Sequence, residues 1–153
     1  MRKRTSVELL SHALEQLEAS MAWLERSHSQ CSSIGIKEEY SAEEYDRYEN
    51  LTSRYARVAD LVVHKVLRSL DAAELHEPGT LIDTANRAVA RGLVDSLDTL
   101  RGHKDLRNDI AHEYQTEALA ELFSDVLQAT PELLSVSRAV LDYGKALIAG
   151  SSR

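Results

Sequence analysis

The sequence predicts an all-α fold, an up-and-down helical bundle of about five helices, and three observations carry that expectation. Apolar residues recur at three- and four-residue steps along most of the 153 residues. Helix-opening pairs stand ahead of several of these stripes. Nothing competes as strand, since strict alternation is absent and β-branched residues do not cluster.

The first stripe is Val7, Leu10, Leu14, Leu17, Met21 and Leu24, a single apolar face. Thr5 with Glu8 three residues later forms a capping-box start, so a helix is expected from about Ser6 to Ser27. Residues 31–36, Cys-Ser-Ser-Ile-Gly-Ile, break the pattern and read as a connection. Ser41 and Glu44 make a second capping box. Tyr48, Leu51, Tyr55, Val58 and Val62 then carry a long second helix to about Leu70. Glu77-Pro78-Gly79 is the clearest punctuation in the chain. Thr80 and Asp83 open a short third helix that stops at Gly92. A fourth begins near Asp95, shows Leu97, Leu100, Leu106 and Ile110, and ends around His112 or Tyr114, with Gly102-His103 as a candidate interruption. The last stretch begins near Thr116; Thr130-Pro131 either restarts it, with proline at the first helical position, or kinks one continuous helix. The terminal Gly150-Ser151-Ser152-Arg153 is expected to fray. With no repeat and no composition shift, residues 1–150 read as one domain.

Composition narrows the function classes. Hydrophobic residues at 43% and charged residues at 28% are a globular balance, and no apolar run has the length of a membrane span. Met1-Arg2-Lys3-Arg4 is basic but is followed by polar helix-starting residues, unlike a signal peptide. One cysteine, Cys31, makes no internal disulfide, which fits a cytoplasmic location. The net charge of −7 argues against tight, nonspecific nucleic-acid binding, because phosphate contacts need Lys and Arg. It leaves room for a local cationic site and for a basic protein partner.

Familiar constellations are missing. No two of the six histidines are three or four residues apart, so a helical zinc pair is not written locally. There is no Gly-rich phosphate loop, no nucleophile elbow and no motif for a cofactor. Glu38, Glu39, Glu43, Glu44 and Asp46 gather around a helix start, where carboxylates favour the positive helix end. Tyr40, Tyr45, Tyr48 and Tyr55 read as packing residues of the second helix, although an exposed pair would also stack bases.

The chemistry-bearing segment is Leu106-Arg107-Asn108-Asp109-Ile110-Ala111-His112-Glu113-Tyr114. RNA is cut without a metal when the ribose 2′-OH attacks its own phosphate. That reaction needs a group that moves protons near neutrality, for which histidine is best suited. It also needs a cation on the phosphate oxygens, and arginine presents a planar fork of donors. Asn108 is one helical turn from His112 and shares its face, where its amide can orient the imidazole or a phosphate oxygen. Arg107 and His112 are five residues apart, about 140° around an ideal helix. They converge only if the arginine reaches around, the helix ends before His112, or a second copy completes the site. A plainer reading makes the same residues a capping and salt-bridge cluster at a helix end. Tyr114 by itself reads equally well as a packing residue with a wet hydroxyl. His103 and Lys104 read as solvated surface near the motif, and Asp105 and Asp109 as candidate partners for Arg107.

The run Arg107-Asn108-x3-His112-x-Tyr114 resembles the signature of the HEPN superfamily in its longer HepT-like form. The order of the preceding helices and the later Pro131-Glu132-Leu133-Leu134 extend the resemblance over roughly residues 80–145. It implies a ribonuclease toxin, homodimeric, with the motifs of two copies facing each other. Arg107, Asn108 and His112 would be the catalytic residues. It implies a nucleotidyltransferase antitoxin that silences the enzyme by attaching AMP to Tyr114, a bulky anion close to the histidine. The alternative is a non-catalytic helical subunit of the same superfamily that binds substrate or assembles with a nucleotidyltransferase. The acidic balance and the Asp105/Asp109 flank favour that alternative. A helical scaffold with no chemistry is the third reading, and it leaves residues 106–114 as coincidence.

Overall fold

The computed structural model describes the backbone of residues 2–112 and 116–151 and the side chains of 5–112 and 118–151. Within them the chain is all-helical. Helix α1 spans Arg2–Ile34 and α2 spans Ala42–Asp60, followed without a break by a π-helical turn, Leu61–Val66, and by α3, Leu67–Ala73. Then come α4 (Leu81–Ala90), α5 (Leu97–His112) and α6 (Thr116–Ser151). Because α2, the π turn and α3 form one rod, five helical rods make the bundle. Its core lies chiefly between α1, α2 and α6, while α4 and α5 close one side against the π turn, α2 and α3.

Local chemistry explains most boundaries. Ser41 accepts from the Glu44 amide while Glu44 reaches back to the Ser41 N–H, so the expected capping box opens α2. Thr80 and Asp83 do the same for α4. That helix stops ahead of Gly92, whose φ of 77° is open to glycine at little steric cost. Helix α1 departs from expectation at both ends. It begins before Thr5, and residues 31–34 are helical rather than a connection. The stripe in fact continues through Ser27 and Cys31, both buried, and the serine and the polar residues around the cysteine hide it from an apolar pattern. Tyr48 from α2 then donates its hydroxyl proton toward the α1 terminus, with Gly35 O at 2.7 Å and Cys31 O at 3.3 Å. Burial pushes the Cys31 thiol up to about 11, so it is held as an unreactive thiol.

Helix α6 runs through Pro131, resolving the choice left open by Thr130-Pro131 in favour of one helix. Buried positions Phe123, Val126, Thr130, Leu133, Ser137 and Val140 keep their helical spacing across the proline. Pro131 itself faces outward, where its lost N–H costs least. The Thr130 hydroxyl returns 2.7 Å to Val126 O just before it. Phe123 stacks on Tyr48, with centroids 5.0 Å apart and planes 16° apart, and meets Tyr45 edge-on. Tyr40, Tyr45 and Tyr48 thus fill their expected packing role around a single phenylalanine of α6, while Tyr55 is buried against His103 of α5. Helix α6 extends through Ser151, and the expected fraying of Ser152 and Arg153 falls outside the described residues.

A polar knot secures the other end. Arg91 reaches Asp71 at 2.8 Å and Glu74 at 2.9 Å, Arg87 takes the second Asp71 oxygen, and Tyr143 donates to Glu74. This joins α3, the end of α4 and α6. Burial opposes the Arg91 charge, but its hydrogen bond to Asp71 and the nearby carboxylates raise its pKa overall.

Gly144 marks the closest approach of α6 to α1. A Cβ there would stand 2.7 Å from a methyl of the buried Leu14. Gly144→Val is therefore expected to destabilise the protein by about 1–3 kcal/mol through overpacking. A urea midpoint equal to wild type would show that α1 and α6 separate easily at this crossing.

Candidate active site

Helix α5 carries every described site residue that the sequence predicts, and its rotational setting decides what each does. Leu100 and His103 are buried, Leu106 and Ile110 half-buried, and all four fall on the face turned to the bundle. Gly102-His103 does not interrupt the helix. His103, expected at the surface, is 3% exposed. Its Nδ1 lies 2.6 Å from the hydroxyl of buried Tyr55 on α2. Burial raises the Tyr55 pKa, so the phenol keeps its proton, and the tautomer of His103 sets which of the two groups donates. On the other side Nε2 comes within 3.1 Å of Glu132 of α6, without the alignment of a full hydrogen bond. Burial lowers the His103 pKa and the Glu132 charge partly offsets it. The sequence did contain a signal for this. His103 lies between Leu100 and Leu106 at three-residue steps, on the apolar stripe.

One turn further, Arg107 is half-buried, and its Nε donates to Asp60 Oδ1 at 2.7 Å. That hydrogen bond raises the Arg107 pKa. Neither Asp105 nor Asp109, the neighbours expected as partners, takes this role. Asp60 is the last residue of α2, immediately before the π turn, in which the Leu67 N–H reaches back five residues to Val62 O. No local pattern links positions 47 residues apart, so Asp60 was not visible as a site residue. Asp60 binds Nε alone. Among the described residues the two Nη groups of Arg107 have no partner, so the end of the fork is open.

Asn108 and His112 are exposed and have no partner among the described residues. Because α5 remains helical through His112, an early helix end does not bring the histidine round to Arg107. The two stay about 140° apart around the axis. Within one chain the structure groups Asn108 with His112 on an outer face and Arg107 with Asp60 on an inner one. Tyr114 and Glu113 lie outside the described residues. Among those described, no group of three potential metal ligands comes together, and no helix is long and apolar enough to cross a membrane.

A groove opens beside the same helix. Its walls are Val63 and Leu67 from the rod, Leu81 and Ile82 from α4, and Leu97 and Leu100 from α5, enclosing about 210 Å³. Arg101 and Lys104 of α5 also line it, the first exposed and the second half-buried.

The buried His103 makes stability depend on pH. Its folded pKa is below the usual 6.5, so protonation favours the unfolded chain. The stabilisation is full above pH 6.5 and is lost as pH falls through that value toward the depressed folded pKa. His103→Gln keeps a polar partner for Tyr55 and removes this titration. The wild-type melting temperature is expected to drop more between pH 7.5 and 5.5 than that of His103→Gln; parallel curves would place the acid sensitivity elsewhere. Comparison with family models, curated proteins and solved structures returns no match, so a functional reading of this chain stands on its own residues.

Proposed function

We propose that the protein is a metal-independent endoribonuclease that cuts single-stranded regions of RNA and acts as a toxin. The observation that supports this best is the open end of α5. Arg107 is fixed by its Nε, and among the described residues neither its Nη groups nor the exposed His112, five positions on and beyond Asn108, has a partner. In this reading Arg107 holds the phosphate oxygens and Asp60 orients it. A histidine takes the proton of the 2′-OH as that oxygen attacks phosphorus, and a second histidine gives a proton to the departing 5′-oxygen. The products are a 2′,3′-cyclic phosphate and a 5′-hydroxyl.

The resemblance to HepT-like toxins implies a homodimer, and the angular separation of Arg107 and His112 gives the second copy a part. In a homodimer with the two α5 ends face to face, the arginine of one protomer meets the histidine of its partner, and two histidines serve as base and acid. The resemblance to HepT-like toxins adds a nucleotidyltransferase antitoxin that attaches AMP to Tyr114, and a cytoplasmic setting. A second reading, a non-catalytic subunit that binds substrate or assembles with a nucleotidyltransferase, is favoured by one observation: Asp60 neutralises part of the Arg107 charge.

Inducible expression in a bacterium lacking the partner distinguishes them. Wild type is expected to arrest growth and to produce new fragments in total RNA, with His112→Ala and Arg107→Ala each losing about 10²–10⁴-fold in cleavage rate. Both substitutions fall outside the core, so unchanged helical content and melting are expected. Full toxicity in both variants refutes the assignment, and harmless soluble wild type favours the non-catalytic subunit.

A further inference from the structure

The groove beside α5 is lined by apolar residues and by two cations, Arg101 and Lys104, on a chain whose net charge is −7. Thr84 supplies the one hydroxyl of its lining. Ile82 stands at its wall with 61% of its surface exposed, a large apolar side chain left in water. The volume, about 210 Å³, is below the roughly 300 Å³ at which pockets for drug-sized ligands begin. It has room for one flat heterocycle.

The two cations are available. Lys104 has no ion pair or hydrogen bond among the described residues. Arg101 has only a stretched 3.9 Å approach to Asp98, with both side chains widely exposed, a pair of negligible strength. At about 100° per residue, Arg101, Lys104 and Asn108 lie within about 60° of one another on α5, and His112 follows within about 40° of Asn108. Lys104 and His112 are then about 12 Å apart along the axis. Asp98, Asp105 and Asp109 form a separate strip about 40–80° to the other side of Arg101. An anionic strand lying along α5 is therefore attracted on the groove side and repelled on the other.

We infer that this groove is a base-binding subsite for single-stranded RNA, with Arg101 and Lys104 on the adjoining phosphates and the strand continuing past Asn108 toward His112. The inference rests on the ribonuclease reading for the direction of the strand, while the groove's own chemistry selects the ligand. Apolar walls take the face of an unpaired base, as in enzymes that read a base removed from its stack. Two cations hold the backbone without reading sequence. A duplex does not fit, because its bases are paired and stacked away from such a slot.

The test uses full-length His112→Ala, which separates binding from cleavage, and a fluorescently labelled single-stranded oligoribonucleotide. Fluorescence anisotropy is followed across a salt series. Adding Arg101→Ala with Lys104→Ala is expected to weaken binding at least tenfold. The slope of log Kd against log salt should become shallower by roughly 1.4, two contacts at about 0.7 each. Adding Ile82→Asp is expected to weaken binding several-fold, and a duplex of the same sequence should bind less well than the single strand. The substituted groove residues are exposed or, for Lys104, half-buried, and circular dichroism verifies their folding. Equal affinity in all variants, preference for the duplex, or no RNA binding by His112→Ala overturns the subsite. A wild type that cuts RNA, with cleavage unchanged when the groove substitutions are made in the wild-type background and binding unchanged in the His112→Ala background, removes the groove and leaves the ribonuclease. Groove-dependent binding with no cleavage by wild type removes the ribonuclease and leaves the groove.

Discussion

The contact between Tyr55 and His103 sets the rotation of α5, and everything proposed for this protein depends on that rotation. Both side chains are buried, and the 2.6 Å hydrogen bond satisfies a phenol and an imidazole nitrogen that would otherwise be stranded in the core. An unsatisfied buried polar group costs on the order of 1–3 kcal/mol, so turning α5 away from this setting is strongly opposed. With His103 turned inward, geometry places Arg107 one turn along toward Asp60, and sends Asn108 and His112 outward. The tie is polar and directional, so it specifies angle as well as proximity, which an apolar contact alone does less sharply.

A second consequence concerns the rod that α5 packs against. Tyr55 and Asp60 both belong to α2, and the π turn begins directly after Asp60. Beyond it Val63 and Leu67 form one wall of the groove. Along the rod, a buried hydrogen bond, a half-exposed ion pair and an apolar opening thus follow one another. Water access increases along it from His103 toward Arg107, and this gradient separates what is fixed for folding from what is free for chemistry. The Arg107–Asp60 pair, with side chains 31% and 41% exposed, adds little to stability. Its effect is to hold one nitrogen of a long, flexible side chain and leave the others directed outward.

The acidic net charge remains the main physical tension in a nucleic-acid reading. The arrangement on α5 eases it, because Arg101 and Lys104 gather on one flank while Asp98, Asp105 and Asp109 gather on another. A chain can repel polyanions over most of its surface and still accept one along a narrow track. Such a track gives weak, salt-sensitive association, as suits an enzyme that must release its product.

By itself the sequence determined the helical class, the five rods and the capping boxes at Ser41 and Thr80. These depend on local spacing and on backbone donors that a neighbour within three residues satisfies. It also displayed the Arg107, Asn108 and His112 spacing, since that pattern is contiguous. It obscured the true length of α1, where a serine and a cysteine occupy the buried stripe, and it left open the continuity of α6, where Pro131 allowed either a restart or one kinked helix. Only the tertiary structure decided that His103 is a core residue, that Arg107 pairs with Asp60 and not with its own neighbours, and that α4 and the rod leave a groove beside α5. Those outcomes depend on which helix faces are brought together and at what rotation. Long-range packing fixes that choice, and no local spacing encodes it.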